Sequence, residues 1–359
     1  MNKFILDTMC ESFLLFICLI IFQGNAVAAD EGQSSGQLKY IPGPVNAEDI
    51  LPLGDTEWLI ASGLNGQLSN TDGNGHIYLV NRESRTFQVM FPGRAPRFDQ
   101  DKKMFSACPG PINPNDFSAH GLALQRISSG RFHLYVTSHG AREAVEVFEI
   151  RTQNSHPAIS WTGCIPLPEE VFANSVAILA DGGFVATSFF DPTVPGAFND
   201  IFQGKITGSI YEWHPGGEVQ AIPGTELSGA NGIAVTPDDK WVYAAATGTR
   251  EIIRFDRTKN PVALKRIHVS IQPDNIRWGD DGLLYTVGSN YVPPDACENP
   301  PCETGWSVIR MVPETMETEA VTGADQTAVM QNASAALSID QEIWIGTHSG
   351  DRIGYLPKP

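Results

Sequence analysis

The chain has 359 residues, a formal net charge of -17, and 18% charged residues. This length is normal for a single large domain and too great for one small core. The excess of acidic residues argues against nucleic acid as a partner, because a polyanionic backbone would be repelled. An acidic balance suits a protein that binds a cation or an uncharged small molecule.

The first 29 residues differ in composition from the rest. One basic residue precedes an apolar run from Phe13 to Phe22, and a stretch of small residues ends at Ala29. The run is too short to span a bilayer, so it predicts a signal peptide over 1–29 and a mature domain over 30–359. Two acidic residues before the run leave a retained membrane anchor as the alternative. We expect a secreted or periplasmic protein without stable membrane insertion after leader removal.

Four cysteines follow the leader, and an even number in an exported protein favours disulfide bonds. Cys297 and Cys302 flank a short turn-forming insert, which a local bridge would close. Cys108 and Cys164 are then the second pair. A zinc site is the alternative for the close pair, although no histidine lies near it.

A short phrase recurs along the chain. Each copy opens with a polar residue, continues with small or aliphatic residues, turns at Asp or Gly, and ends in a second apolar run, as in 231–244. Such runs of β-branched and aromatic residues between turns indicate β-strands. The copies begin at Glu48, His120, Asn174, Asn231, Asn275 and Asn332.

The spacing of these copies predicts one sheet per copy. Successive copies begin 72, 54, 57, 44 and 57 residues apart, which is the length of a four-stranded blade with its loops. Radial repetition of such sheets predicts an all-β fold, a six-bladed β-propeller. The polar residue that opens each innermost strand then points at the central axis, and the six form a ring. Turn or strand-cap roles are the alternative for any single copy.

The predicted ring is rich in oxygen ligands. Glu48 and Asp274 supply carboxylates, while Asn174, Asn231 and Asn275 supply amide oxygens. Hard oxygen donors without thiolates or clustered imidazoles favour calcium, and magnesium prefers a smaller site with more water. The sequence therefore predicts a central Ca²⁺ site, which can polarise a carbonyl or phosphoryl oxygen under attack by water.

Attack by water needs a base near neutral pH, and the ordinary pKa of histidine suits that task. His120 occupies a ring position, and His139 ends the next strand. Antiparallel pairing would bring the two imidazoles within hydrogen-bonding reach, which predicts a catalytic dyad. A strand-end role without chemistry is the alternative for His139. His348 closes the last blade, and its reach towards the channel mouth stays open.

Taken together, these motifs resemble the paraoxonase and arylesterase family, which is related to the gluconolactonase (senescence marker protein) and strictosidine synthase-like proteins. The similarity is spread over nearly all of the mature chain. It lies in the segments 47–52 and 59–64, His120-Gly121, Ser138-His139, Asn231-Gly232-Ile233 and Asp274-Asn275-Ile276.

The resemblance implies a function. In that family a six-bladed propeller carries a catalytic calcium that holds the carbonyl oxygen of a lactone or aryl ester, while a histidine activates water. The histidine dyad of the family falls here on His120 and His139. Its calcium ligands fall on Glu48, Asn174, Asn231, Asp274 and Asn275.

The chain departs from the family pattern at two points. The family's second, structural calcium uses acidic residues beside the ring. Asp49 is present here, but Ser175 follows Asn174, which puts a second ion in doubt. No cysteine lies near residue 40 or in the closing segment 354–356, so the family's long-range disulfide is missing.

The favoured interpretation is an exported calcium-dependent hydrolase of small lactones or esters, and two other functions stay open. A strictosidine synthase-like lyase shares the propeller but works without metal through an acidic residue in the channel. The many amides of the ring argue against it. A non-enzymatic propeller that binds a ligand or protein, with calcium stiffening its axis, would keep every oxygen ligand and have no use for His120.

Overall fold

The described strands form six antiparallel sheets of four strands each. The predicted six-bladed β-propeller is thereby confirmed. The predicted leader and the Cys297–Cys302 pair lie outside the residues that the structure describes. The computed structural model describes residues 38–65, 75–152, 156–292, 304–325 and 328–359.

Each blade is a meander whose first strand contacts the first strands of the neighbouring blades around the axis. Blade 1 contains β2 (Ile50–Pro52), β3 (Trp58–Gly63), β4 (His76–Asn81) and β5 (Thr86–Phe91). Blade 2 contains β6 (Phe117–Ser128), β7 (Arg131–Gly140), β8 (Ala144–Arg151) and β9 (Ala158–Pro166). Blade 3 contains β10 (Ala173–Ile178), β11 (Phe184–Ser188), β12 (Ile210–Trp213) and β13 (Gln220–Ala221).

The remaining blades follow the same order. Blade 4 contains β14 (Ala230–Val235), β15 (Trp241–Ala246), β16 (Glu251–Asp256) and β17 (Lys265–His268). Blade 5 contains β18 (Ile271–Trp278), β19 (Leu284–Asn290), β20 (Trp306–Met311) and β21 (Thr318–Ala324). Blade 6 contains β22 (Ala333–Ile339), β23 (Glu342–Thr347) and β24 (Arg352–Pro357), with β1 (Lys39–Pro42) as its fourth strand.

Blade 6 closes the propeller because it combines strands from both ends of the described chain. β1 pairs antiparallel with β24, and Ile41 lies opposite Ile353. This pairing leaves no open seam between the first and last blades, which is how a propeller protects its sheet edges.

The hydrophobic core lies between adjacent blades. Each buried cluster draws residues from neighbouring sheets: Val185 of blade 3 packs in one cluster with Val242 of blade 4, and Tyr285 of blade 5 packs in another with Ile343 of blade 6. Burial of both sheet faces explains why the strands are apolar on both sides instead of alternating cleanly. The interblade core fixes the innermost strands around the axis.

Helical segments are short among the described residues: α1 (Ala197–Ile201) and a 3-10 turn at Pro114–Asp116. No helix in these ranges is long and apolar enough to cross a membrane.

Cys108 and Cys164 form a disulfide, as predicted. It ties the segment before β6 to β9, the outermost strand of blade 2.

Candidate active site

β-bulges aim the ring residues at the axis. In blades 2 to 6 the pairing of the first two strands shifts register near the start of the innermost strand. An extra residue in one strand bends it and re-aims its side chains. In blade 1, Glu48 and Asp49 directly precede β2. The residues inside the bulges include His120, Asn174, Asn231, Asp274, Asn275 and Ser334.

Close approach of the innermost strands requires glycine after two ring residues. A Cβ at Gly121 would lie 2.4 Å from the carbonyl oxygen of Asn174, and one at Gly232 would lie 2.4 Å from that of Asp274. No real side chain tolerates such contacts with backbone. The Gly that follows His120 and Asn231 therefore serves the packing of the axis.

Threonines on the second strands hold the ring backbone of the next blade. The Thr137 hydroxyl donates to the Asn174 carbonyl at 2.7 Å, Thr187 donates to that of Asn231, and Thr247 donates to that of Pro273 at 2.7 Å. Our sequence interpretation missed these threonines, although Thr recurs at the end of the second strand in several copies. They connect blade 2 to blade 3, blade 3 to blade 4 and blade 4 to blade 5 at the level of the ring.

Five oxygens of the ring are buried without a hydrogen-bond partner in the described part of the chain. The Asn275 side-chain amide donates to Glu48 Oε1 at 2.7 Å, which turns the Asn275 oxygen away from Glu48. All five atoms are acceptors, and a buried acceptor without a donor is unfavourable. They are Glu48 Oε2, Asn174 Oδ1, Asn231 Oδ1, Asp274 Oδ1 and Asn275 Oδ1.

The electrostatics of the ring favour a bound cation. Burial and the neighbouring charge of Glu48 raise the pKa of the Asp274 carboxyl well above its ordinary value. Burial also opposes ionisation of Glu48, but the charge of His120 and further contacts outweigh it, so the pKa of Glu48 is lowered. A divalent cation would keep both carboxylates ionised and supply the missing partner of all five oxygens.

The donor set fits calcium. It combines two carboxylates with three amide oxygens and contains no sulfur, which is the chemistry of a hard-cation site. It differs from a cluster of three or more His, Cys, Asp or Glu ligands, of which the described ranges contain none. Asp274 is the more exposed of the two blade 5 ligands, whereas Asn275 is fully buried.

The two predicted histidines are in contact and are both buried. Nδ1 of His120 lies 2.8 Å from Nε2 of His139, and Nδ1 of His139 lies 2.7 Å from Oε1 of Glu143. A carboxylate only accepts, so His139 Nδ1 must donate to it, and the neutral His139 ring then accepts at Nε2. His120 accordingly donates from Nδ1. In the neutral form of this dyad, the lone pair is left on His120 Nε2, which lies 3.6 Å from Glu48 Oε1.

Glu143 is a site residue that the sequence interpretation missed. It lies in the turn between β7 and β8, four residues after His139, and its second oxygen accepts a 3.4 Å hydrogen bond from Ala173 N, beside the ring residue Asn174. A carboxylate four residues beyond a strand-end histidine is a local signal that could have found it. Glu143 is a positioning residue, because it acts on the base through His139.

Replacing Glu143 by Gln should lower kcat by about 10- to 100-fold without changing calcium affinity. The glutamine side chain is uncharged, so it cannot stabilise a protonated dyad. Its NH₂ group can also donate to His139 Nδ1, which would reverse the tautomers of both histidines. Glu149→Gln is the matched control: it lies in the same blade, paired with Arg131 and Arg151 away from the dyad, and should leave kcat unchanged. An equal fall of kcat in both variants would contradict the role of Glu143.

A row of phenylalanines extends from the dyad to the surface. Phe172 stacks on the His139 ring with centroids 4.2 Å apart, and Phe190 stacks on Phe172 at 4.7 Å. Phe198 contacts Phe190 edge-on, and Phe202, which is 56% exposed, contacts Phe198. We call these four residues the aromatic ladder. Phe190, Phe198 and Phe202 belong to the connection between β11 and β12, which includes α1.

Two further sequence expectations concern Asn332 and His348. Asn332 is exposed, with a φ of 53°, so its prediction as a buried ring residue is wrong. The bulge of blade 6 instead presents Ser334, whose hydroxyl donates to the Glu48 carbonyl at 2.6 Å. Burial lowers the pKa of His348, and Glu48 and His120 are the charged neighbours that act on it.

Comparison with known proteins agrees with this geometry. The family model described as Arylesterase matches residues 38–352. The chain belongs to the arylesterase family. The match extends from blade 1 to the start of β24 in blade 6, and it includes both histidines of the dyad and all five oxygen-bearing residues of the ring. No curated protein matches this arylesterase-family chain in sequence.

Solved structures resemble the chain in fold. A gluconolactonase from Xanthomonas campestris is 17% identical with a TM-score of 0.52, covering 90% of this chain and 89% of its own. A calcium-binding protein, regucalcin, from Agrobacterium tumefaciens is 11% identical with a TM-score of 0.51, covering 88% and 91%. At such identities the similarity supports the propeller fold of this arylesterase-family member and nothing finer.

Proposed function

We propose that this member of the arylesterase family is an exported, calcium-dependent hydrolase of lactones or aryl esters. The observation that carries the proposal is the set of five unpartnered buried oxygens, one of them on Glu48, whose other carboxylate oxygen lies 3.6 Å from His120 Nε2. Export rests on the leader pattern of residues 1–29. A hydrolase role is also what the family match supports.

The residues that would hold the ion are Glu48, Asn174, Asn231, Asp274 and Asn275. When bound, Ca²⁺ supplies a positive charge that polarises the ester carbonyl and stabilises the oxyanion. Asn275 is fixed by its hydrogen bond to Glu48, and the Asn174 backbone is fixed by Thr137. These contacts orient the oxygens in advance, which lowers the cost of organising the site.

His120 would move the proton. Its Nε2 accepts a proton from water as the water oxygen bonds to the acyl carbon. His139 and Glu143 stabilise the resulting imidazolium through the chain of contacts described above. The same nitrogen then returns the proton to the departing alcohol oxygen as the acyl C–O bond breaks. The products are a carboxylic acid and an alcohol, or a hydroxy acid from a lactone.

The aromatic ladder indicates the kind of substrate. It begins on the dyad itself, so the part of a bound ester nearest His139 meets Phe172 and Phe190. Aromatic faces favour an aryl or alkyl group over a charged one. We expect esters and lactones with an apolar substituent to be better substrates than small polar ones.

Removal of calcium should test the proposal most directly. Purified protein is assayed against a panel of aryl esters and of lactones with short and medium alkyl chains, before and after dialysis against a chelator. Turnover should fall below about 1% of its starting value without metal, since a metal supplies several kcal/mol of transition-state stabilisation. It should return with Ca²⁺. Chelator-insensitive turnover would contradict calcium dependence, and calcium binding without any turnover would favour a binding propeller.

A further inference from the structure

Beside the ring residue Glu48 lies a buried carboxylate whose two oxygens are both occupied by donors of the protein itself. Asp49 follows Glu48 and is fully buried. Its Oδ1 accepts from Ile50 N at 2.8 Å and from Arg277 Nε at 2.7 Å, while its Oδ2 accepts from Leu122 N at 2.7 Å and from Arg277 Nη2. Four donors and no acceptor identify an ionised carboxylate. Burial raises the pKa of Asp49, and Arg277 opposes that effect.

Arg277 is the cation of this pair. It is 6% exposed and lies on β18, two residues after Asn275. Its guanidinium binds both oxygens of Asp49, and its Nη1 donates to the Ile276 carbonyl at 3.0 Å. The bidentate geometry is one that arginine provides and lysine does not.

On its other side, Arg277 borders a cavity. This cavity of about 410 Å³ lies at the far ends of the innermost strands, lined mainly by apolar residues such as Leu51, Val176 and Ile233, with Trp278. Among the described residues that line it there is no histidine and no carboxylate, so its size does not make it the site of hydrolysis. Arg277 therefore lies between this cavity and the Glu48–Asp49 end of the ring.

The formal charges of the side chains at the axis sum to a value that one divalent cation balances. Three carboxylates lie there, those of Glu48, Asp49 and Asp274, while Glu143 is separated from them by two imidazoles. Arg277 contributes one positive charge, which leaves minus two. One Ca²⁺ balances that charge. Without Arg277 the axis would carry minus three, and a buried carboxylate without a counter-charge is strongly unfavourable.

We propose that Arg277 is a built-in cation that takes the role of a second metal ion, so that the chain binds a single divalent cation and Asp49 is not a metal ligand. The proposal rests on the proposed function in that it takes the ring as a metal site. Arg277 is a positioning residue: it fixes Asp49, and through it the backbone of Glu48, to blades 2 and 5.

The test measures calcium stoichiometry and thermal stability, without any assay of activity. Wild type, Arg277→Met, Arg277→Lys and the double variant Asp49→Asn/Arg277→Met are stripped with a chelator and titrated with CaCl₂ by calorimetry. Wild type and Arg277→Lys should bind one ion per chain. In chelator, Arg277→Met should melt at least about 5 °C below wild type, and calcium should recover most of that loss by occupying the vacated position, giving two ions per chain.

The double variant keeps the test decisive if Arg277→Met does not fold. Removing both charges leaves neither group uncompensated, so its melting temperature should be closer to wild type than that of the single variant, with one ion bound. Two ions per wild-type chain would overturn the proposal. So would a double variant no more stable than Arg277→Met. Zero ions bound to wild type would instead overturn the calcium site itself, and an inactive protein that binds one ion would leave the role of Arg277 intact.

Discussion

Replacing Glu48 by Gln should weaken calcium binding by more than about 100-fold and lower kcat/KM for esters by at least about 10³-fold. The substitution keeps the shape of the side chain and its contact with the Asn275 amide, but it removes one of the two charges that balance the ion. Asp274 would then be the only anionic ligand. Its pKa is already raised by burial and by the charge of Glu48. Calorimetry with CaCl₂ and ester hydrolysis at saturating calcium measure the two effects.

The control for this variant is a second buried glutamate that lies outside the ring. Glu146 is fully buried and accepts hydrogen bonds from Arg142 and from the Trp161 indole. Glu146→Gln should cost about 1–3 kcal/mol of stability through weakened hydrogen bonds, while calcium affinity stays at the wild-type value. Equal loss of calcium affinity in both variants would mean that the loss reflects general damage, and the metal role of Glu48 would have to be abandoned.

The sequence predicts the blades well because each copy of the repeat carries two independent signals. Each copy carries both a strand–turn–strand pattern and a polar opening residue, and radial repetition then fixes where those residues meet. Glu48, His120, Asn174 and Asn231 all lie at the axis for this reason. The contact between His120 and His139 follows from the same logic, since Ser118 and His139 are direct partners across β6 and β7.

The sequence fails where the geometry depends on an unpaired residue or on a distant one. The position of a bulge is set by tertiary packing, so Asn332 could not be told from Ser334. Glu143 lies in a turn, where a lone acidic residue suggests solvent exposure. The sequence does not reveal the role of Arg277, because its partner Asp49 is 228 residues away and no local pattern signals such a pair.

Replacing His120 by Gln should separate the two parts of the mechanism: kcat should fall by about 10²- to 10⁴-fold while calcium affinity is unchanged. His120 contributes none of the five unpartnered oxygens. Its replacement therefore leaves the set of calcium ligands intact. Glutamine cannot take up a proton, and water then has to be deprotonated by solvent. His133→Gln is the control, because His133 lies on β7 like His139 but pairs with Gln125 at the far end of β6, and it should keep wild-type kcat.

The pH dependence of the His120 variant distinguishes a lost base from a distorted site. Without a general base, the rate should rise in proportion to hydroxide concentration, so the ratio of wild-type to variant kcat should shrink as the pH increases. A distorted metal site would lower kcat by a constant factor at every pH and would weaken calcium binding as well. Unchanged turnover in the variant would remove His120 from the mechanism. The pair Glu48→Gln and His120→Gln thus assigns metal binding and proton transfer to different residues, because only the first should lose the ion and only the second should recover with hydroxide.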